Sequence, residues 1–226
     1  MAFRFDTVIF DLDGTLVDTK SDILAGINHA LGTMGKDSIT LERSLEAIGP
    51  GREDFVQAVL PGASKTDGEV FIGAYRAFYR DHCTDRTRLF PGMSDVLSGS
   101  NGIKRGVASN KPRYFTEKIL RDLNVLDRFA AVIGPEDVVH AKPHPEMILR
   151  ILKRLNADPR RTLMVGDTEL DLRAGRTAGI RTCAALYGYG TRSSLMAPKP
   201  DFVIEEPRDL LTILENNSSA KKWKTS

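Results

Sequence analysis

Thr7-Val8-Ile9-Phe10-Asp11-Leu12-Asp13-Gly14-Thr15 is a short β-branched and aromatic run that ends in two acids and a glycine. The run reads as a fully buried strand. Acids just past the carboxyl end of such a strand stand where ligands of open parallel sheets bind. Residues two apart along an extended segment point the same way, so Asp11 and Asp13 converge on one point. Like charges about 4 Å apart repel by roughly 4 kcal/mol at an effective dielectric of about 20, which calls for a cation or a shared proton. The competing reading is a glycine turn in which both acids cap backbone amides.

Further buried strands are expected at Gly106 to Ala108, Ala130 to Ile133, Thr162 to Val165, Thr182 to Leu186 and Phe202 to Ile204. Tyr114 to Leu123, Glu146 to Leu155 and Leu170 to Ala178 carry apolar residues at helical spacing between them. This alternation predicts an α/β fold with a doubly wound parallel sheet. The first gap is different, because far more chain separates the first two strands than one crossover helix needs. Three helical stripes fill it: Ile23, Leu24, Ile27, Leu31 and Met34; Phe55, Val56, Val59 and Leu60; and Val70, Phe71, Ala74 and Phe78. Residues 20–87 are therefore expected to form a second, smaller helical module inserted after the first strand, with residues 1–19 and 88–215 as the α/β core. Its hinges fall near Asp18-Thr19 and Arg88 to Gly92.

The acid pattern recurs at Val165-Gly166-Asp167-Thr168-Glu169-Leu170-Asp171. A helix starting near Thr168 puts Asp167 and Asp171 one turn apart, facing one crevice. Oxygen-only ligands of this kind suit Mg²⁺, and Asp167 as a plain helix N-cap is the alternative. Ser109-Asn110-Lys111-Pro112 precedes another helix, whose start either binds an anion or is simply capped by Ser109. Lys142 lies in His140-Ala141-Lys142-Pro143-His144-Pro145, where two prolines stiffen a loop that can aim its ammonium; a solvated lysine is the other reading.

The 226 residues hold 32 Lys+Arg against 30 Asp+Glu, and a net charge of +2 gives no field to attract nucleic acid or an anionic membrane. Cys83 and Cys183 cannot build a disulfide framework. With no stretch able to span a bilayer, a soluble cytoplasmic protein is expected. The four histidines, His29, His82, His140 and His144, lack a convincing metal-ligand spacing. The stretch 216–226 has no apolar periodicity and reads as a disordered tail.

Taken together, Asp11-x-Asp13-Gly14-Thr15, Ser109-Asn110-Lys111, Lys142 and Gly166-Asp167-x-x-x-Asp171 resemble the four motifs of the haloacid-dehalogenase superfamily, in the same order. Within it the similarity points to phosphoglycolate phosphatases, helped by Tyr187-Gly188-Tyr189-Gly190 and Lys199-Pro200-Asp201-Phe202-Val203-Ile204. The resemblance implies a Rossmann-like core with a helical C1 cap, and Mg²⁺-dependent hydrolysis of a small phosphorylated metabolite, foremost 2-phosphoglycolate. Asp11 would be the nucleophile and Asp13 the acid and base. Ser109 and Lys142 would hold the transferring phosphoryl group, and Gly14, Thr15 and Asn110 would lie against the substrate. Mg²⁺ would sit on Asp11, the Asp13 carbonyl and Asp167, with Asp171 behind. A sugar-phosphate mutase or phosphotransferase using the same phospho-aspartate is the alternative, and a phospho-aspartate signalling module the non-enzymatic rival. The assembly would be a monomer or homodimer. In the cap, Ile48 to Glu53 is the most loop-like segment. Arg52 there either pairs with a substrate carboxylate through its two-pronged guanidinium or belongs to a solvated first turn.

Overall fold

The computed structural model describes residues 5–49, 51–100 and 102–215, the side chain of Arg52 excepted. The predicted tail, 216–226, lies outside them. In chain order, β1 (Thr7–Phe10) and β2 (Val17–Asp18) lead into four helices, α1 (Lys20–Thr33), α2 (Leu41–Leu45), α3 (Arg52–Val59) and α4 (Lys65–His82). The chain returns through β3 (Arg88–Leu89) to α5 (Met93–Gly99), β4 (Lys104–Ala108), α6 (Arg113–Asp122) and β5 (Ala131–Ile133). It finishes with α7 (Glu146–Leu155), β6 (Thr162–Gly166), α8 (Glu169–Thr177), β7 (Arg181–Ala185), α9 (Arg192–Met196), β8 (Phe202–Ile204) and α10 (Asp209–Glu215).

Six strands form one parallel sheet in the order β5-β4-β1-β6-β7-β8. The chain builds outward from β1 through β4 to β5, then restarts on its other side with β6. β1 is therefore the point where the winding reverses, and a crevice opens beyond its carboxyl end. Phe10 is in register with Val107 on one side and Val165 on the other. The segments starting at Asp11, Ser109 and Asp167 consequently leave the sheet side by side. Strands covered on both faces carry unbroken apolar runs, and Val8, Ile9 and Phe10 are all buried.

The sequence reading needs two corrections among the elements of the insertion. β2 and β3, read only as hinges, pair antiparallel, Val17 with Leu89 and Asp18 with Arg88; two-residue strands carry no periodicity to read. The stripe assigned through Val70 is also displaced, because Val70 is 53% exposed and the buried face of α4 is Gly68, Phe71, Ile72, Tyr75 and Tyr79. The two tyrosines complete the 3.6-residue repeat that the aliphatic residues alone suggested elsewhere. α1 packs on this face, and Gly26 makes room for it: a Cβ there would come within 2.9 Å of the Tyr75 ring.

Candidate active site

The floor of the site is acidic and almost dry. Asp11, Asp167 and Asp171 are 4%, 0% and 0% exposed, and their oxygens can all approach within 4.8 Å of one another. The Lys142 ammonium lies 2.8 Å from Asp11 Oδ1 and 2.5 Å from Asp171 Oδ1. Among the described residues the Lys142 ammonium is the one partner of Asp11 Oδ1. Burial, opposed by Lys142 and reinforced by the Asp171 and Asp13 charges, lifts the Asp11 carboxyl from the usual 3.8 to about 7. Burial and the Asp11 and Asp171 charges raise Asp167 well above the carboxylate range. Burial alone would lower the Lys142 ammonium, but Asp11 and Asp171 outweigh it and hold it above its ordinary value.

Asp167 is seated by groups distant in sequence. It accepts hydrogen bonds from Thr15 Oγ1 at 2.7 Å and from the Tyr189 N–H at 2.8 Å. A Cβ on Gly14, which has φ +82°, or on Gly188 would overlap the Asp167 side chain. Asp167 does not cap α8, since Thr168 takes that position. Asp171 is engaged behind it: its Oδ2 accepts from Thr168 N at 3.0 Å and Thr168 Oγ1 at 2.6 Å, while Oδ1 holds Lys142.

Asp13 stands apart with its own partners. Thr19 Oγ1 donates to its Oδ1 at 2.6 Å, and the Lys111 ammonium is 3.0 Å from its Oδ2. Ser109 is buried beside it, and its Oγ accepts the Lys111 N–H at 3.2 Å. Asn110 fastens two loops together, donating to Gly49 O at 2.9 Å and Lys142 O at 3.0 Å and accepting from Lys142 N at 3.0 Å. Above these residues is a cavity of about 390 Å³ between the sheet edge and the helical segment. Asp11, Asp13, Ser109 and Lys111 line one side, with Phe55 and Tyr75 on the other.

Most of the residues expected from the sequence thus come together, with changes of contact. Gly14 and Thr15 support Asp167 where substrate contacts were expected. The Asn110 amide is occupied by backbone groups where substrate contacts were likewise expected. Arg52 starts α3, but its side chain lies outside the described residues, so its proposed pairing has no geometry here. Lys111 was quoted in the motif without a role, because its reach to Asp13 depends on how α6 starts. His140 and His144, expected to lack metal-ligand geometry, lie with Glu146 in a mostly exposed group whose donor atoms fall within 4.8 Å of one another. The loop from His140 to Glu146 brings the three side chains together, which linear spacing does not reveal.

Residues 8–185 match the family model of haloacid dehalogenase-like hydrolases. The chain belongs to that family. The hydrolase is 34% identical over 215 residues to a protein named Pyrophosphatase PpaX from Bacillus cereus, covering 94% of this chain and 98% of that one. It is 32% identical over 212 residues to a phosphoglycolate phosphatase of Aquifex aeolicus, covering 93% and 97%. Its fold superposes on the crystal structure of a predicted phosphoglycolate phosphatase from Haemophilus somnus with TM-score 0.87 at 25% identity, over 92% and 97% of the two chains. Among the described residues, no helix of the hydrolase is long and apolar enough to cross a membrane.

Proposed function

We propose that this hydrolase is a phosphatase that cleaves a small phosphomonoester by way of a transient phosphate on Asp11. The observation that carries the reading is the Asp11 carboxylate, buried at the cavity floor with the Lys142 ammonium 2.8 Å from one of its oxygens. A desolvated carboxylate steadied by a fixed cation is a competent nucleophile. The donor set fits Mg²⁺: Asp11, Asp167 and Asp171 face one ammonium, which leaves two negative charges uncompensated if all three ionise (3 − 1 = 2). Asp11 and Asp167 would hold the ion: Asp171 accepts three hydrogen bonds, one of them from the Lys142 ammonium, whereas each Asp167 oxygen accepts a single one from a neutral donor and keeps a lone pair for a cation. When bound, Mg²⁺ would supply positive charge to the transferring phosphoryl oxygens.

An Asp11 oxygen attacks phosphorus, and the bond to the leaving oxygen breaks as Asp13 gives that oxygen a proton. Asp13 then takes a proton from water as the water oxygen attacks the phosphorus of phospho-Asp11, which frees phosphate and restores both acids. Lys142 offsets the charge on Asp11 before it attacks and again as that charge returns when phosphate leaves. The helical segment 20–87 acts as a cap over the cavity. Ile48, Gly49 and Gly51 line its rim, and the Gly49 carbonyl is held by Asn110. 2-Phosphoglycolate is the first substrate of choice, and the 34% identity to a chain named as a pyrophosphatase makes pyrophosphate the second.

The test is phosphate release from a panel of phosphoesters with Mg²⁺. Asp11→Asn should lower turnover by about 10⁴-fold or more while leaving the circular dichroism spectrum intact. Normal turnover by that variant excludes the mechanism.

A further inference from the structure

We propose that Lys111, with Tyr79 beside it, selects substrates whose leaving group carries a negative charge of its own. The inference rests on the phosphatase reading and names the substrate class of that site. The Lys111 side chain is only 7% exposed, and its ammonium is 3.0 Å from Asp13 Oδ2 and 4.9 Å from the centroid of the Tyr79 ring. Ile23, Ile72, Tyr75 and Phe115 wall much of the cavity around it, with the charged Arg76 and Glu136 also on its lining. An ammonium in such surroundings needs an anion in contact, and Asp13 is that anion.

The reaction disturbs this pairing. Asp13 has to give its proton to the leaving oxygen, yet Thr19 already holds Oδ1 and Lys111 covers Oδ2. Lys111 lines the cavity and Thr19 does not, so a leaving group that reaches Asp13 from the cavity meets the ammonium on Oδ2. A carboxylate or phosphate on that group gives the ammonium a new partner as Asp13 turns to the leaving oxygen, whereas a neutral group leaves it desolvated and alone. Tyr79 contributes its ring: it is fully buried, it lines the cavity, and its face lies 4.9 Å from the Lys111 ammonium. A ring face steadies that cation without neutralising it, so the ammonium still lacks an anion once Asp13 turns away. 2-Phosphoglycolate and pyrophosphate both place an anionic group on the leaving oxygen or close to it.

The deciding experiment measures kcat and KM with Mg²⁺ for 2-phosphoglycolate against ethyl phosphate, which has a methyl group in place of the carboxylate, and for pyrophosphate against methyl phosphate. Wild type should favour the charged member of each pair by about 100-fold, the range expected when a buried charge loses its partner. Lys111→Met should shrink that preference at least tenfold, chiefly through KM, while Lys111→Arg keeps most of it and controls for folding. A wild type without preference, or a Lys111→Met variant that slows both members equally, would overturn the proposal and leave the phosphatase reading standing. No phosphate release from any ester by wild type would remove that reading, and this inference with it.

Discussion

Asp167 shows how closely a buried acid depends on the residues that seat it. Its two oxygens are held by Thr15 and by the Tyr189 N–H, and glycines at 14 and 188 leave room for its side chain. Gly188→Ala would place a methyl group against the Asp167 side chain and the Gly14 carbonyl, neither of which is the far end of a flexible chain. Overpacking of this kind costs about 1–3 kcal/mol. We expect a lowered melting temperature and a weaker apparent affinity for Mg²⁺, read by titrating the metal in the turnover assay; an unchanged metal dependence would show that Asp167 tolerates displacement. The acid itself was legible at its strand end. Its seat was not, because Thr15 and Gly188 lie far from it in sequence and nothing in a linear pattern ties them to it.

At the scale of elements, one tyrosine joins the site to the entrance of the helical segment. The Tyr189 hydroxyl donates to Asp18 Oδ1 at 2.9 Å and accepts from the N–H groups of Thr19 at 2.7 Å and Lys20 at 3.1 Å. On the exit side, the Asp22 carboxylate accepts from Arg86 N, Thr87 N and Thr87 Oγ1. Tyr189→Phe removes the first set while keeping the N–H that holds Asp167. The loss should be about 1–2 kcal/mol, seen as a lower denaturation midpoint together with faster proteolysis near residues 17–20; an unaltered cleavage rate would argue against the hydroxyl as the fastening. The alternation of strand and helix was readable because it repeats over long segments. The two-residue β2 and β3 and the aromatic face of α4 were not, the first for lack of length and the second because tyrosine scores poorly as an apolar marker. That second omission matters most, since Tyr75 and Tyr79 wall the cavity.

For the molecule as a whole, the buried acids set a dependence on pH and metal. With its carboxyl raised from 3.8 to about 7, folded Asp11 keeps a proton that the unfolded chain has lost over that interval. The native state then binds more protons than the unfolded one, so stability falls as pH rises through the interval and levels off above it. Asp167 acts in the same direction. In EDTA the melting temperature should drop between pH 5 and pH 8. Mg²⁺, which binds the ionised form, should raise it more at pH 8 than at pH 5. Equal gains at both values, by scanning fluorimetry, would mean that the ion does not engage these carboxylates. The gathering of Asp11, Ser109, Lys142 and Asp167 could be anticipated from strand ends and motif order, but the division into a Lys142 set and a separate Asp13–Lys111 pair needed coordinates.

The pairing of Val17 with Leu89 and Asp18 with Arg88 has a last consequence. The excursion that begins after one strand of this ladder ends beside the other, so its start and finish are neighbours whatever lies between. Its length and internal shape are thereby uncoupled from the spacing of the six-stranded sheet. Chain can be lengthened, shortened or exchanged within that excursion without moving β1 relative to β4, and the reaction centre at their ends would keep its geometry while the roof above it changed.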